Sequence, residues 1–96
     1  MIPQAPVAPD RHYLSRMAQG DSEAAGELLR RHGMSLYALA YGLVFDSVVA
    51  DEIVVDALGD AMRAAGQYDA RDGTVFAWLA AITRRRGRSR LEAMTA

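Results

Sequence analysis

Five arginines lie within seven residues near the carboxyl end of the chain, in the sequence RRRGRSR at residues 84–90. Arg84 and Arg88 are four residues apart, as are Arg86 and Arg90, so in a helix like charges would stack and repel. Guanidinium groups pair with phosphates and stack on bases, and an anionic polymer would relieve that repulsion. The run therefore predicts a nucleic-acid or phosphate contact. The alternative is a solvated end, stabilised by the negative pole of a helix C-terminus.

A second charged segment is acidic, with five acids and no base between Asp46 and Asp60. Its spacing predicts an amphipathic helix at residues 47–65 that begins after a capping Asp46. The apolar face would hold Ile53, Val54, Ala57, Leu58 and Ala61, and the opposite face Asp51, Glu52, Asp56 and Asp60. One interpretation of the acids is a docking face for a basic protein surface; the other is an ordinary solvated helix face.

Catalytic and metal chemistry have little support in the sequence. The chain has no cysteine and two histidines, which excludes a disulfide framework, a thiol nucleophile and a cysteine-based metal site. Asp51 with Asp56, or His12 with any acid, could form an acid–base pair, but no nucleophile accompanies them and 96 residues are too few for a deep cleft. We expect no enzymatic activity and no cofactor.

The elements that must position these charges are helices. Apolar residues recur every three or four positions and no alternating pattern is flanked by hairpin turns, so we predict one all-α domain, a small bundle of four to five helices. All three prolines lie in the first nine residues, which indicates a flexible arm at residues 1–9. No apolar run reaches the roughly 18 to 20 residues of a membrane span, and no signal peptide is recognisable. We expect a cytoplasmic protein.

The amino-terminal half predicts three helical segments. Asp10 is expected to cap a helix at residues 11–18 that stops at Gly20. Asp21 would cap the next, with Leu28 and Leu29 in the core, until Gly33 kinks or breaks it. The segment MSLYALAYGLVF follows, and its core stripe would consist of Leu36, Leu39, Ala40 and Leu43.

The last helix is expected to begin after a capping Thr74, following the helix-breaking sequence QYDARDG. Its first two turns would pack through Phe76, Trp78, Leu79, Ala80 and Ile82, whereas its arginine-rich second half would bury nothing. The aromatic residues Tyr68, Phe76 and Trp78 can be core residues or stacking platforms for bases, and the sequence leaves both open.

Four motifs in order resemble region 2 of bacterial sigma factors, most closely the extracytoplasmic-function group. ADEIVVDAL at residues 50–58 stands where that family has A-E-D-L-V-Q-E-x-F, and YDARDGTVFAWL at residues 68–79 where it has F-D-x-x-x-G-x-x-x-x-W-L. AQGDSEA at residues 18–24 and ITRRRGRSRLE at residues 82–92 resemble two further motifs. Departures include Val55 for glutamine, Arg85 for asparagine and Ser89 for aspartate, with Gly59 and Met62 at bulkier positions.

The resemblance implies partners and site residues. The acidic helix would bind the clamp coiled coil of the largest subunit of core RNA polymerase through Asp51, Glu52, Val55, Asp56 and Leu58. Promoter DNA would be recognised and opened at the minus-ten element. The loop capturing an extruded base would hold Tyr68, Asp69, Arg71 and Gly73, and the strand-opening helix Trp78, Arg84, Arg85, Arg86 and Arg88.

Two alternatives stay open. Nothing after Arg90 resembles the helix-turn-helix of region 4, so we expect either an excised domain, at residues 10–93, or a shortened sigma-like protein. In the second case the chain would be a helical interaction module that binds a regulator, such as an anti-sigma factor, or itself.

Overall fold

The computed structural model describes residues 8–96, which form four α-helices. These are α1 (Asp10–Met17), α2 (Ser22–Val44), α3 (Ser47–Ala64) and α4 (Val75–Thr95). Two short 3-10 helices, Ala65–Gln67 and Ala70–Asp72, connect α3 to α4, and residues 8–96 contain no strand. The all-α prediction is confirmed. Residues 1–7 of the predicted arm lie outside the described part of the chain.

Three of the four predicted helix caps are confirmed. The Asp21 carboxylate accepts hydrogen bonds from the amides of Glu23 and Ala24, Asp46 accepts one from Val49, and the Thr74 hydroxyl accepts one from Ala77. The prediction for Asp10 is wrong: Pro9 is the capping residue, without a side-chain bond, and Asp10 is the first helical residue. The Asp10 carboxylate instead contacts Arg31 and His32 of α2, which ties α1 to α2.

Gly33 does not break the second helix. α2 is a single helix of 23 residues, so the two predicted segments are continuous. Leu28 lies before the glycine and Leu36, Ala40 and Val44 after it, all buried on one stripe. Packing of that stripe against α1, α3 and α4 outweighs the roughly 1 kcal/mol that glycine costs inside a helix.

Leu29 does not enter the core as predicted. Leu28 is fully buried, whereas Leu29 is 36% exposed, because consecutive helical residues differ in direction by about 100°. Most other predicted core positions are buried, while the predicted members Leu39, Leu43, Leu58, Phe76 and Trp78 are partly buried against the core. The largest fully buried side chains are Leu14, Met17, Leu28, Ile53 and Thr83.

The second half of α4 also packs, which corrects the prediction that it buries nothing. Thr83 and Gly87 are buried in α4, and Leu91 packs against the core one turn later. These residues recur at intervals of four, so they form a narrow stripe on the helix surface. A Cβ built at Gly87 would lie 2.6 Å from Leu43 Cδ1, so α2 approaches α4 closely at a residue without a side chain.

Alanine at Gly87 and at Gly42 should therefore have different effects on stability. Gly42 is a helical position with open space around its Cβ, so Gly42→Ala should raise the free energy of unfolding by about 1 kcal/mol through helix propensity. Gly87→Ala has the same propensity gain but must displace Leu43, and overpacking costs about 1 to 3 kcal/mol. Urea unfolding should place Gly87→Ala at least about 1 kcal/mol below Gly42→Ala. Equal stabilisation would contradict the close approach.

Candidate functional site

Two ion pairs join α3 to the arginine run of α4. The Arg86 guanidinium donates two hydrogen bonds to Asp60, one of them 2.8 Å from Nη2 to Oδ1. Arg90 Nη1 lies 3.0 Å from Glu52 Oε2. Glu52, Asp56 and Asp60 are spaced by four residues on α3 and so share one edge of that helix. This edge faces α4, and the run of arginines is partly neutralised within the protein.

Asp60 is the most strongly held carboxylate of this edge. Hydrogen bonds from Arg86, and secondarily from Arg63, lower the pKa of Asp60 to about 2, against partial burial that acts in the opposite direction. The Asp60 side chain is 21% exposed, so these bonds are only partly screened by water. Arg86 therefore stabilises the packing of α4 on α3.

Substitution of Asp60 should remove an acid-sensitive part of the stability. Because the folded-state pKa lies below the ordinary value of 3.8, the Asp60 contribution is complete above about pH 4 and is lost as the pH falls towards 2. Asp60→Asn should lower the free energy of unfolding at pH 7 by about 1 to 2 kcal/mol. Urea unfolding should show this difference shrinking between pH 4 and about pH 2.

The control for this experiment is Asp51→Asn, which removes an exposed carboxylate of the same helix. It should change stability by less than about 0.5 kcal/mol. If Asp60→Asn were as stable as Asp51→Asn at pH 7, the Asp60–Arg86 contact would have no stabilising role.

Three arginines of the run are exposed. Arg84, Arg85 and Arg88 are solvent-facing, and among residues 8–96 none of them forms a salt bridge. We call these three residues the arginine trio. The structure thus divides the predicted DNA-binding arginines, since Arg86 is a partner of Asp60 and the arginine trio has no carboxylate of its own.

Residues 68–73 form an ordered loop beside the start of α4. The Tyr68 hydroxyl donates a 2.6 Å hydrogen bond to the Gly73 carbonyl. Asp69 accepts a 2.9 Å bond from the Arg71 amide and holds the Arg71 guanidinium at 2.7 Å, and these bonds lower the pKa of Asp69. Gly73 has φ of 111°, a conformation that favours glycine. The four predicted loop residues therefore form two hydrogen-bonded pairs, Tyr68 with Gly73 and Asp69 with Arg71.

Trp78 connects this loop to the core. Its ring lies edge-on to Tyr68 with centroids 5.6 Å apart, and its side chain is half-buried against the core. A contact between Trp78 and DNA stays a prediction, and the structure places the residue next to the loop that would share that contact.

The other edge of α3 borders an apolar groove against α2. Asp51, Val54 and Val55 line it from α3, and Val55 is 67% exposed. From α2 the groove is lined by Leu29, Arg30, Gly33, Met34 and Tyr37, and its volume is about 450 Å³. We call it the α2–α3 groove. An open, mainly apolar groove of this kind fits a helix or another apolar protein segment.

Sequence reasoning missed the exposed stripe on α2. Met34 is 89% exposed and Phe45 75% exposed, and the rings of Tyr37, Tyr41 and Phe45 follow one another at centroid distances of 6.1 and 6.0 Å. The spacing of these residues is helical, so a second apolar stripe could have been found beside the core stripe. Large apolar side chains that are exposed next to one another are typical of interaction surfaces.

The five predicted polymerase contacts do not share one face. Asp51 and Val55 line the α2–α3 groove. Glu52 lies on the edge facing α4, the half-buried Asp56 lies one turn further along that edge, and Leu58 packs partly against the core.

Metal sites and membrane spans are not found in the described part of the chain. Within residues 8–96 no group of His, Asp and Glu side chains could hold a metal ion, and none of the helices has the length and apolar character of a membrane span.

These features define a helical binding module with two separate surfaces, a cationic one on α4 and an apolar one between α2 and α3. Residues 28–93, from the second turn of α2 to just beyond the arginine run, match the family described as Sigma-70 region 2, and the chain belongs to that family. Membership supports a role in binding RNA polymerase. Neither the comparison with curated proteins nor the comparison with solved structures gave a match.

Proposed function

We propose that this chain binds core RNA polymerase and recognises and melts the promoter minus-ten element during transcription initiation. The observation that carries the proposal is the position of the arginine trio, which is exposed on the helix that follows the ordered loop at residues 68–73. Cationic side chains that pair with the backbone, together with aromatic rings on which bases stack, are typical of surfaces that bind single-stranded DNA. The module acts by binding and has no catalytic step.

On the DNA side, each part of the surface has a separate task. The arginine trio neutralises phosphates of the non-template strand. Arg71 in the loop is 90% exposed, but its guanidinium is paired with Asp69. Tyr68 and Trp78 offer ring surfaces that replace the stacking a base loses when it leaves the duplex. The hydrogen bonds of Tyr68 and Asp69 keep the loop in place before DNA arrives, which reduces the entropic cost of binding.

On the polymerase side, the α2–α3 groove is the docking surface. Val55 and Met34 supply apolar contact area, and Asp51 at the rim is complementary to a basic partner. The clamp coiled coil of the largest polymerase subunit is the proposed occupant. Glu52 and Asp56 lie on the edge of α3 that faces away from the groove. A partner docked in the groove therefore reaches them only if it extends across α3.

We propose further that the chain belongs to the extracytoplasmic-function group, to which its motifs are most similar. YDARDGTVFAWL at residues 68–79 and AQGDSEA at residues 18–24 carry that assignment. The second motif spans the turn between α1 and α2. There one carboxylate oxygen of Asp21 caps α2, and the other accepts a hydrogen bond from Arg16 Nε. The aspartate therefore has a structural role that explains the motif independently of DNA binding.

A second candidate function is a sigma-like interaction module that binds a regulator. The exposed stripe of Met34, Tyr41 and Phe45 favours it, because this stripe extends beyond the α2–α3 groove. An anti-sigma factor covering the groove would compete with polymerase for the same surface.

Two binding assays on the full chain distinguish the candidates. The first is a pull-down of core RNA polymerase, and the second is a gel shift with single-stranded non-template minus-ten DNA against a scrambled oligonucleotide. The proposed function predicts binding in both assays and a preference for the minus-ten sequence. Binding in neither assay would reject it in favour of the interaction module.

A further inference from the structure

The contact between Glu52 and Arg90 differs from the other contact between α3 and the arginine run. It is a single close approach between side chains that are 51% and 33% exposed. Arg86, by contrast, donates two hydrogen bonds to an aspartate whose side chain is 21% exposed. An exposed ion pair with one contact is weak because water screens it. Arg90 therefore exchanges Glu52 for another anion more readily than Arg86, which is 40% exposed but is held to Asp60 by two hydrogen bonds.

Arg90 is close in sequence to the proposed DNA surface. It follows Arg88 of the arginine trio by two residues and belongs to the same continuous helix. A phosphate and the Glu52 carboxylate would compete for the same guanidinium, since both are oxyanions that pair with arginine. Half of the Glu52 side chain is accessible. Glu52 lies on the edge of α3 opposite the α2–α3 groove, so the proposal requires that the docked polymerase extends across α3 to reach it.

We propose that Glu52 masks Arg90, and that Arg90 is a further phosphate-binding residue released when a cationic group of the docked polymerase neutralises Glu52. The inference rests on the proposed function and adds a link between its two binding surfaces. Docking on α3 strengthens DNA binding by α4 through one exchange of ion-pair partners. No movement of either helix is required.

The expected size of the effect follows from counterion release. One phosphate contact with single-stranded DNA adds about 0.7 to the slope of log K against log salt, or about fivefold in affinity near 0.1 M salt. Breaking an exposed ion pair costs at most about the same factor. In the free wild-type chain the two effects nearly cancel, so Arg90→Ala should lower affinity less than about twofold. With Glu52 neutralised the cost should be about fivefold.

The test is a double-mutant cycle on the full chain. Fluorescence anisotropy with labelled single-stranded minus-ten DNA compares wild type, Arg90→Ala, Glu52→Gln and the double variant across a salt series. Glu52→Gln should bind a few-fold tighter with a slope steeper by about 0.7, and Arg90→Ala should abolish both gains. Glu23→Gln removes one negative charge at the exposed start of α2 and is the control; its affinity gain should not depend on Arg90.

The same substitution measured in the complex with core polymerase completes the test. Arg90→Ala should cost about fivefold in that complex, against less than about twofold in the free chain. An equal cost of Arg90→Ala in wild type and Glu52→Gln, or in the free chain and the complex, overturns the proposal. Failure of the proposed function gives a different result, because Arg84→Ala would then leave DNA affinity unchanged as well.

Discussion

Replacement of the arginine trio by alanine should lower affinity for single-stranded minus-ten DNA about a hundredfold near 0.1 M salt. Each lost phosphate contact should flatten the slope of log K against log salt by about 0.7, so the triple variant should lose about 2 in slope. The folded state should be almost unaffected, because Arg84, Arg85 and Arg88 are exposed and form no salt bridge within residues 8–96. Anisotropy titrations across a salt series and thermal melting measure both quantities.

Arg30→Ala is the control for the loss of a positive charge. Arg30 is 70% exposed, pairs with Glu27 in its own helix and lines the α2–α3 groove instead of the DNA surface. It should change DNA affinity by less than about twofold, against about fivefold for each member of the trio. A triple variant with the wild-type salt slope would mean that the cationic end of α4 is a solvated surface without a DNA partner.

Substitution of Val55 by arginine should weaken binding to core RNA polymerase by about thirtyfold or more. Val55 is 67% exposed at the wall of the α2–α3 groove, and an arginine there would place charge in an apolar contact and repel a basic partner. Central interface residues of this kind typically contribute about 2 kcal/mol or more. Surface plasmon resonance with immobilised core measures the loss.

Stability should not explain that loss. An exposed surface change alters the free energy of unfolding by about 0.5 kcal/mol or less, which circular dichroism melting checks. Met94→Arg introduces the same side chain at a 46% exposed position near the end of α4, and it should bind core as wild type does. If Val55→Arg bound core polymerase with wild-type affinity, the α2–α3 groove would not be the polymerase-binding surface.

Asp56 is a less clean probe of docking, although its acidic type first indicated a role. The residue is half-buried on the edge of α3 that faces α4, and its charge acts favourably on Arg86. Charge reversal at Asp56 would disturb the packing of α3 on α4, so lost polymerase binding could arise from lost structure. Asp51, which is exposed at the groove, tests the acidic contribution separately.

Local features of the fold could be predicted from the sequence because their causes are local. Asp21, Asp46 and Thr74 cap helices through bonds to amides two or three residues away. The local signal at Gly33 was misleading. The helix-propensity cost of this glycine is smaller than the stabilisation from packing of the buried α2 stripe, so α2 continues through it. The capping role predicted for Asp10 is wrong because its carboxylate contacts Arg31 and His32 on another helix, which local sequence does not indicate.

The charged site was less accessible to sequence reasoning. Arg86 and Asp60 are 26 residues apart, and no spacing rule says which of five adjacent arginines finds a carboxylate on another helix. The arginines in the second half of α4 predict a solvated helix end, although the small residues Thr83 and Gly87 between them are buried. The exposed apolar residues from Met34 to Phe45 recur at helical spacing. The buried residues of α2 lie in the same stretch of sequence with similar spacing, so the pattern alone does not separate the exposed stripe from the core stripe.

We propose that one chain binds polymerase through the α2–α3 groove and promoter DNA through α4. Site-specific photo-crosslinking can detect both contacts in one assembled complex. A photoreactive amino acid is placed at position 55 in one variant and at position 85 in another, and each is assembled with core RNA polymerase and a minus-ten promoter fragment. The account predicts that position 55 crosslinks to the largest polymerase subunit and position 85 to the non-template strand. Crosslinks from position 85 to protein only, or none from position 55 to the largest subunit, would contradict it.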